Sequence, residues 1–556
     1  MDLFENLSRG HAAELVHWED GGFERTPWDA LLQEAREIAA GVRALGCERG
    51  QIVPAVLTNT RSTLAGIVGV WLAGGVVASL PVPARGTSPE EYMAQLARLC
   101  RHAGSELLAL DGSLAQAIGG SLPGELTAVA WESLRRTPER DPDPPGPDEV
   151  AFVQYSSGST SNPKGCMLTP RAIGNQLTMI AEMSQVAGER DTVASWLPLS
   201  HDMGLFGCAL FAWACDAHLV LSTPARFVSD PRTWFGDCAE FGATLSAGPP
   251  SALTAAARAQ RSSRADTPLA LRACVVGGEM IAWNVLEAAT EAFRPLGLDE
   301  RVWMPAYGLA EATLVVSATG IDDRPRRALL DRTALTEGQV VTPDDEEQAV
   351  SVVSAGRPRG ATGVRVRDDG RASEIMVTSP SLFCGYLDAP ELTADRLVSG
   401  ELATGDHGVI RDGELYVVGR ADDLLVVAGR NVYAGEIEAA VNHLEHVRSG
   451  CAALVDAGED GRSRLVLVAE LRDGGAADSR AVARAAARIA RAKGGLLLDE
   501  CVFVPRGSLP KTPSGKIQRF RCQHLVASDA LEPTSRVQLR RRTRPLRPSQ
   551  TPGAGL

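Results

Sequence analysis

The segment Val150–Pro170, VAFVQYSSGSTSNPKGCMLTP, constrains this chain more than any other. Its apolar run Val150–Tyr155 has the length and composition of a buried strand. The run stops in small residues: Ser156, Ser157, Gly158, Ser159, Thr160 and Ser161. Asn162, Pro163, Lys164 and Gly165 follow. Small residues let a backbone approach a ligand closely. Successive N–H groups and hydroxyls in such a turn make an anion nest, and Lys164 adds a point charge. The spacing is not the nucleotide G-x-x-x-x-G-K-[ST] pattern, because Lys164 precedes Gly165 and no helix-opening G-K-[ST] follows. Composition leaves two readings, a phosphate-gripping loop or a Ser/Gly-rich surface loop.

At 556 residues the chain exceeds one ordinary core, so two or more domains are expected. Aromatic residues are 5%, so the cores must rest on Ala, Val and Leu. A formal net charge of −13 argues against a general nucleic-acid binder. The 11 cysteines are scattered without a C-x-x-C pair, which favours buried reduced thiols over a metal site or disulfide framework. The longest apolar stretch, Leu64–Pro81, is broken by Gly66, Gly69, Gly74 and Gly75. It reads as a helix and a strand, not a membrane span. The N-terminal stretch has no basic-then-apolar leader, so a cytoplasmic protein is expected.

Apolar positions at Trp28, Leu31, Leu32, Ala35, Ile38 and Val42 predict an amphipathic helix within Thr26–Leu45. Ile52–Thr58 reads as a strand, Ser62–Gly74 as a helix and Val76–Val82 as a strand. This alternation predicts an α/β fold, a wound layer with parallel pairing. A proline-rich connector, Asp141–Pro147, precedes the Ser/Gly loop, and a helix over Arg171–Gln185 follows it. His201 and Asp202 lie just after a strand-like run in WLPLSHDMGLFG; such a pair is more often structural than catalytic. The segment CVVGGEM ends a strand in a glycine turn. There the backbone of Gly277, Gly278 and Glu279 either lies along a flat ring or simply turns the chain into a helix.

The order of residues adds to this. SSGSTSNPKG resembles the loop of the adenylate-forming superfamily: acyl-CoA synthetases, peptide-synthetase adenylation domains and fatty acyl-AMP ligases. MPAYGLAEAT, at Met304–Thr313, resembles its Y-G-x-x-E segment. LATGDHGV and GRADD, at Leu402–Val409 and Gly419–Asp423, resemble its TGDxG…GRxDD run. LPKTPSGKIQR, at Leu509–Arg519, resembles its P-K-T-x-S-G-K segment. SWLPLSHDMGL is similar to fatty acyl-AMP ligases in particular, as is LLDRTALTEGQVV within the polar segment Ser317–Val353. ATLSAGPPSA departs from that pattern: Pro250, Ser251 and Leu253 stand where the family carries larger residues, which puts a long-chain acid in doubt.

The resemblance runs from about Glu5 to about Leu525 and implies a large N-terminal adenylation domain of layered α/β structure, 1–420. A small, mobile α+β domain, 421–529, would follow on a hinge at Asp422, and an Arg-rich disordered tail, 530–556, would end the chain. It also implies roles. Ser156, Ser157, Gly158, Ser159, Thr160 and Lys164 would grip the phosphates of ATP. Gly277, Gly278, Glu279 and Gly308 would border adenine, and Tyr307 would stack on it. Asp406 would accept both ribose hydroxyls, and Arg420 would reach ribose and phosphate. Glu311 and Thr160 would ligate Mg²⁺. His201 would lie beside the substrate carboxylate. Lys516 would swing in to neutralise charge that grows during transfer. The implied reaction turns a carboxylic acid and ATP into an acyl-adenylate and pyrophosphate. The acyl group would then pass to an acyl or peptidyl carrier protein in trans, or alternatively to CoA. A degenerate nucleotide-binding module without catalysis is a third reading; the set Thr160, Lys164, Glu311, Asp406, Arg420 and Lys516 argues against it.

Overall fold

The computed structural model describes residues 1–83, 88–118, 122, 126–155, 164–261, 267–331, 334–335, 339–344, 349–368, 370–420, 424–427, 430–458, 463–472, 479–511 and 517–540. They divide into two compact units, one over Met1–Leu424 and one from Leu425 to Pro510 and onward from Ile517. The first is α/β and the second α+β.

The first unit contains two large sheets. One has nine strands, and its middle runs Trp303–Gly308, Ala273–Val276, Leu245–Gly248, Thr192–Ser195, His218–Leu221, Glu14–Glu19, all parallel. Leu245–Gly248 is buried at every position, as expected of parallel strands covered on both faces. The other sheet has seven strands, with Phe152–Tyr155, Val76–Leu80, Ile52–Val56, Leu107–Leu110 and Thr127–Ala130 parallel to one another. The parallel expectation therefore holds for the centres of both sheets and fails at both edges of the nine-stranded sheet and one edge of the seven-stranded one. Gly165–Leu168 returns antiparallel to Phe152–Tyr155, with Tyr155 opposite Gly165. Antiparallel neighbours of this kind need no crossover helix between them. A third sheet of short strands pairs Glu401–Arg411 with Ser373–Thr378 and with Glu414–Arg420, all antiparallel.

The helices follow from apolar spacing and caps. Trp28–Ala44 buries Trp28, Leu31, Leu32, Ala35, Ile38 and Val42 on one side. Gly69 of the helix Arg61–Leu72 lies against it, so close that a Cβ there would meet the Ala35 carbonyl oxygen at 2.9 Å. Thr60 caps that helix by accepting the Thr63 N–H. The Trp28 ring stacks on Trp213 at 5.1 Å, and its Nε1 donates to the Ala217 carbonyl. Truncating Trp28 to Ala would cost about 3–5 kcal/mol.

The polar segment Ser317–Val353 contains strands at both of its ends. Ser317 and Ala318 belong to a buried strand, Val315–Ala318, antiparallel to Trp303–Gly308. Arg327–Asp331 and Ala349–Val353 form an antiparallel pair, Asp331 opposite Ala349. Ala328, Leu330 and Val352 are buried, so alternating apolar residues hold this ribbon to the unit despite its charged ends.

The second unit is a four-stranded sheet between helices. Its order is Val447–Asp456, Leu465–Leu471, Glu500–Val504, Ser535–Gln538. Ala434–Val441 and Ser479–Gly494 share one apolar layer, and Arg519–Ala527 lies in the other. The disordered tail expected from Ala530 is corrected as far as Arg540. Ser535–Gln538 pairs with Glu500–Val504, and Arg536 reaches both Asp529 and Glu500 at 2.5 and 3.5 Å. Charge pairing and the ladder outweigh a composition that reads as solvated.

Candidate active site

Four neighbouring parallel strands of the nine-stranded sheet release their chains at the same edge, the carboxyl end. That edge is where open α/β sheets bind ligands. Thr192–Ser195 leads to His201, Leu245–Gly248 to Ser251, Ala273–Val276 to Gly277–Glu279, and Trp303–Gly308 carries Tyr307 into Glu311.

Tyr307 and Asp406 come from different sheets and meet here. The Tyr307 hydroxyl donates to Asp406 Oδ2 at 2.6 Å. Burial, with the Asp406 carboxylate reinforcing it, pushes the phenol well above its ordinary value, so it stays a donor. Asp406 faces Arg420 across the strand pair, and Arg420 Nε lies 3.3 Å from Asp406 Oδ1. Thr404 Oγ1 accepts the Asp406 N–H and fixes the turn.

Glu311 sits in a constrained loop. A Cβ on Gly308 would fall 1.8 Å from the Leu314 carbonyl oxygen, so only glycine fits there. Thr313 has φ 66° and ψ −50°, and the Leu314 N–H donates to the Ala312 carbonyl at 2.8 Å. This is a γ-turn of the strained hand, on a β-branched residue. The buried Thr313 hydroxyl donates to the Ser381 carbonyl at 2.7 Å and holds the turn. Tyr386 then donates its hydroxyl to Glu311 Oε1 at 2.7 Å. Burial first, and then the charges of Glu311 and Asp202, push the nearby Cys166 thiol far up, and Lys164 pulls it down. A carboxylate in this setting is a hard oxygen donor, which fits Mg²⁺.

The glycine turn is tight for a steric reason. A Cβ on Gly277 would lie 2.9 Å from the Ala306 carbonyl oxygen, and Gly278 has φ +80°. Glu279 turns its side chain away from the turn: it accepts the Ser251 N–H at 3.1 Å and the Ser251 hydroxyl at 2.9 Å. Glu279 therefore ties two strand ends together. His201 Nδ1 lies 2.5 Å from Asp202 Oδ1 at the start of a helix that widens into a π-turn over Leu205–Leu210. Gly207 in that turn faces Leu314, 2.9 Å from where its Cβ would be.

Lys164 is half-buried beside Gly165. Ser156, Ser157, Gly158, Ser159, Thr160, Asp422 and Lys516 lie outside the described residues. Tyr386 is absent from the site residues that the sequence motifs imply. The available signal was an aromatic with a polar tip inside the apolar run SLFCGYL.

Polar groups gathered at the carboxyl edge of a parallel sheet are the arrangement of an α/β ligand-binding enzyme. Residues 4–387 match the family of AMP-binding enzymes, and the chain belongs to it. It is 30% identical over 498 residues to a 4-hydroxyphenylalkanoate adenylyltransferase from Mycobacterium tuberculosis, covering 81% of this chain and 78% of that one. It is 32% identical over 401 residues to JamA of Moorena producens, a medium-chain-fatty-acid–[acyl-carrier-protein] ligase, covering 68% and 67%. A solved fatty acyl-adenylate ligase, from work on those of E. coli and L. pneumophila, shares the fold with a TM-score of 0.86 at 23% identity, covering 95% of this chain and 97% of that one.

Proposed function

We propose that this protein activates a carboxylic acid with ATP to an acyl-adenylate and passes the acyl group to the phosphopantetheine thiol of a carrier protein acting in trans. The observation that carries the first half is the meeting of Tyr307, Asp406 and Arg420 beside the Gly277–Glu279 turn. A carboxylate next to a flat aromatic, a guanidinium and close-approach backbone fits a nucleoside and its α-phosphate. The relatives named for adenylate transfer and carrier ligation support the rest.

A carboxylate is a poor acyl donor, and its mixed anhydride with AMP is a good one. In the first step a carboxylate oxygen attacks the α-phosphorus, and the bond to the bridging oxygen of pyrophosphate breaks. The chain must bring two anions together. Lys164 and the Ser156–Thr160 loop hold the phosphates, and Lys516 meets the charge that grows at the α-phosphate. Glu311, with Thr160, would hold Mg²⁺, which supplies charge neutralisation to the phosphates when bound. His201 lies on the side of the entering carboxylate. In the second step the thiol sulfur attacks the acyl carbon, AMP leaves, and the thiol proton passes to solvent. Asp422 is the hinge about which the small domain exchanges the two steps.

The test is acid-dependent exchange of labelled pyrophosphate into ATP across fatty, aryl and amino acids, followed by intact mass of carrier and CoA products. Exchange with at least one acid and a carrier adduct heavier by the acyl group are expected. No exchange with any acid would overturn adenylation; acylation of CoA faster than of carrier would overturn the second step.

A further inference from the structure

The loop Leu197–Ser200 carries the chain from the strand Thr192–Ser195 of the nine-stranded sheet to His201. Buried side chains of the seven-stranded sheet hold it. Asn59 follows the strand Ile52–Val56. Its Nδ2 donates to the Leu197 carbonyl at 2.9 Å and to the Ser222 carbonyl at 2.8 Å, and its Oδ1 accepts the Leu199 N–H at 3.0 Å. Ser79 and Gln154 stand side by side on the next two strands, Val76–Leu80 and Phe152–Tyr155. The Ser79 hydroxyl donates to the Ser200 carbonyl at 3.3 Å, and Gln154 Nε2 donates to the same oxygen at 3.1 Å. Gln154 Nε2 also reaches the Tyr155 carbonyl, at 3.4 Å.

These bonds converge on one peptide unit. The Ser200 carbonyl belongs to the unit that enters His201, and the N–H of that unit donates to the Pro198 carbonyl at 3.0 Å. Both of its polar groups are therefore fixed, and with them the point from which the His201 side chain starts. Gly204 lies against the same loop, where a Cβ would run into the Pro198 carbonyl oxygen. Packing alone does not ask for such a clamp. Asn59, Ser79 and Gln154 are all buried, and burying polar groups costs stability unless they are paired. Gln154 is not fully paired: its Oε1 is buried without a partner among the described residues. An unpaired buried acceptor is a standing cost that an apolar side chain of similar size would avoid. What explains the amide is the carbonyl that its donor end holds.

We propose that Asn59, Ser79 and Gln154 are positioning residues that set His201 against the carboxylate of the acid substrate. They act through His201 and not on the substrate themselves. This rests on the adenylation reading above, in which His201 lies on the side of the entering carboxylate. Placement matters there, because a misplacement of about 1 Å can cost about a hundredfold in rate.

The test is Gln154→Leu in the full chain, with pyrophosphate exchange measured for whichever fatty, aryl or amino acid the wild type exchanges fastest. The substitution removes the unpaired acceptor, and the Ser200 carbonyl keeps its bond from Ser79, so the melting temperature should hold or rise. The KM for the acid should nevertheless rise about tenfold, with the KM for ATP within about twofold of wild type. Asn59→Ala should also raise the acid KM and should speed hydrogen exchange in peptides covering Leu197–Leu205. His201→Ala should raise the acid KM by itself, and adding Gln154→Leu to it should change that value less than about twofold, because nothing is left to position. A merely structural role would lower the fraction of active enzyme, hence kcat, and leave both KM values alone. An unchanged acid KM in Gln154→Leu would overturn the proposal. So would an unchanged acid KM in His201→Ala, or effects that multiply in full when the two are combined. If Asn59→Ala fails to fold, Ser79→Ala removes one of the two bonds to the Ser200 carbonyl and should raise the acid KM about threefold. A wild type that exchanges pyrophosphate with no acid sinks the adenylation reading and this proposal with it; failure of the proposal alone leaves wild-type exchange intact, so the two are told apart.

Discussion

The Tyr386 hydroxyl donates to Glu311 Oε1 at 2.7 Å. Tyr386 follows Phe383, whose N–H donates to the Glu311 carbonyl at 2.8 Å, so one short segment grips both the backbone and the side chain of Glu311. Burial first, and then the charge of Glu311, push the Tyr386 phenol far above its ordinary value, so the proton stays on tyrosine. The bond fixes which carboxylate oxygen faces away from Tyr386. Tyr386→Phe keeps the ring and removes that restraint. The Mg²⁺ concentration for half-maximal pyrophosphate exchange should then rise about tenfold, the scale for groups that orient a metal ligand. An unchanged Mg²⁺ titration would refute this.

Tyr307 and Asp406 separate in a second experiment. Asp406→Ala should weaken ATP binding by roughly 1–3 kcal/mol, because the ribose hydroxyls lose a charged acceptor. Tyr307→Phe keeps the face and removes a hydroxyl that occupies Asp406 Oδ2. ATP affinity should change less than about threefold in Tyr307→Phe and fall about tenfold or more in Tyr307→Ala, where the stacking area is gone. Isothermal titration with ATP distinguishes these. Equal losses in Phe and Ala would assign the role to the hydroxyl instead.

Much of this site was legible as residue order, and the reason is local chemistry. A tight turn needs Gly277 and Gly278, and a loop that folds back on Leu314 needs Gly308; each leaves a mark in the string itself. What stayed hidden depends on contacts between distant segments. Nothing near Tyr386 in sequence announces that Glu311, 75 positions away, accepts its hydrogen bond. Glu279 sits in a motif that implies a backbone role, yet its side chain serves Ser251 at the head of another helix. The strand Ser535–Gln538 was unreadable because its order comes from pairing with Glu500–Val504 and from Arg536 reaching Asp529, not from its own polar residues. The parallel centres of both large sheets were readable from strand–helix alternation; the antiparallel pairing of Gly165–Leu168 with Phe152–Tyr155 was not, since a Ser/Gly-rich stretch in sequence precedes a strand as readily as a helix.

Lys516 should act on the barrier more than on binding. A charge needed where negative charge grows lowers the rate of adenylate formation when removed and leaves ground-state affinity nearly intact. Lys516→Ala should slow single-turnover adenylate formation at least about a hundredfold while ATP affinity moves less than about threefold. Wild-type rates in that variant would remove Lys516 from the mechanism.

Acid should loosen the second unit through Glu470. This carboxylate is buried, which alone would raise its pKa. The Leu509 N–H, Arg448 and the Gly507 N–H more than offset that and hold it below the usual value. A lowered folded pKa means the stabilisation is complete above the unfolded carboxylate value, about 4.3, and is lost as pH falls through the folded value. Glu470→Gln should cost about 1.5–3 kcal/mol near neutral pH, since it removes charge-assisted bonds from a buried acceptor. The wild type and variant should converge as the pH falls from the unfolded value through the lower folded one. Hydrogen exchange of peptides from Leu465–Leu471 reads this unit specifically; a constant gap between the two proteins at all pH values would contradict it.

The last prediction concerns the ribbon Arg327–Val353. Its resemblance to the extra segment of fatty acyl-AMP ligases implies that it restrains the small domain and so disfavours free CoA as acceptor. The ribbon is anchored to the first unit: Arg327 lies over the Trp283 ring at 4.8 Å, and neighbouring Arg326 pairs with Glu414 at 3.1 Å. Cutting it out whole would expose Ala328, Leu330 and Val352 and confuse restraint with unfolding. The register offers a cleaner change. Asp331 stands opposite Ala349, so replacing residues 332–348 with Asn-Gly closes the pair with a two-residue turn whose twist matches the strands. The buried Ala328, Leu330 and Val352 then remain, while buried Leu335 and the Gln339–Arg371 bridge go with the removed tip, so the fold of the shortened protein is checked by its unchanged pyrophosphate exchange. If the tip supplies the restraint, acyl-CoA formation should rise about tenfold with pyrophosphate exchange unchanged, because a ligand shifts an equilibrium only by its differential affinity and CoA would no longer have to overcome the restraint. Transfer to a carrier should change little where carrier contacts with the small domain compensate for the restraint. If the shortened protein exchanges pyrophosphate normally and CoA transfer stays at its starting rate, the tip has no part in choosing the acceptor.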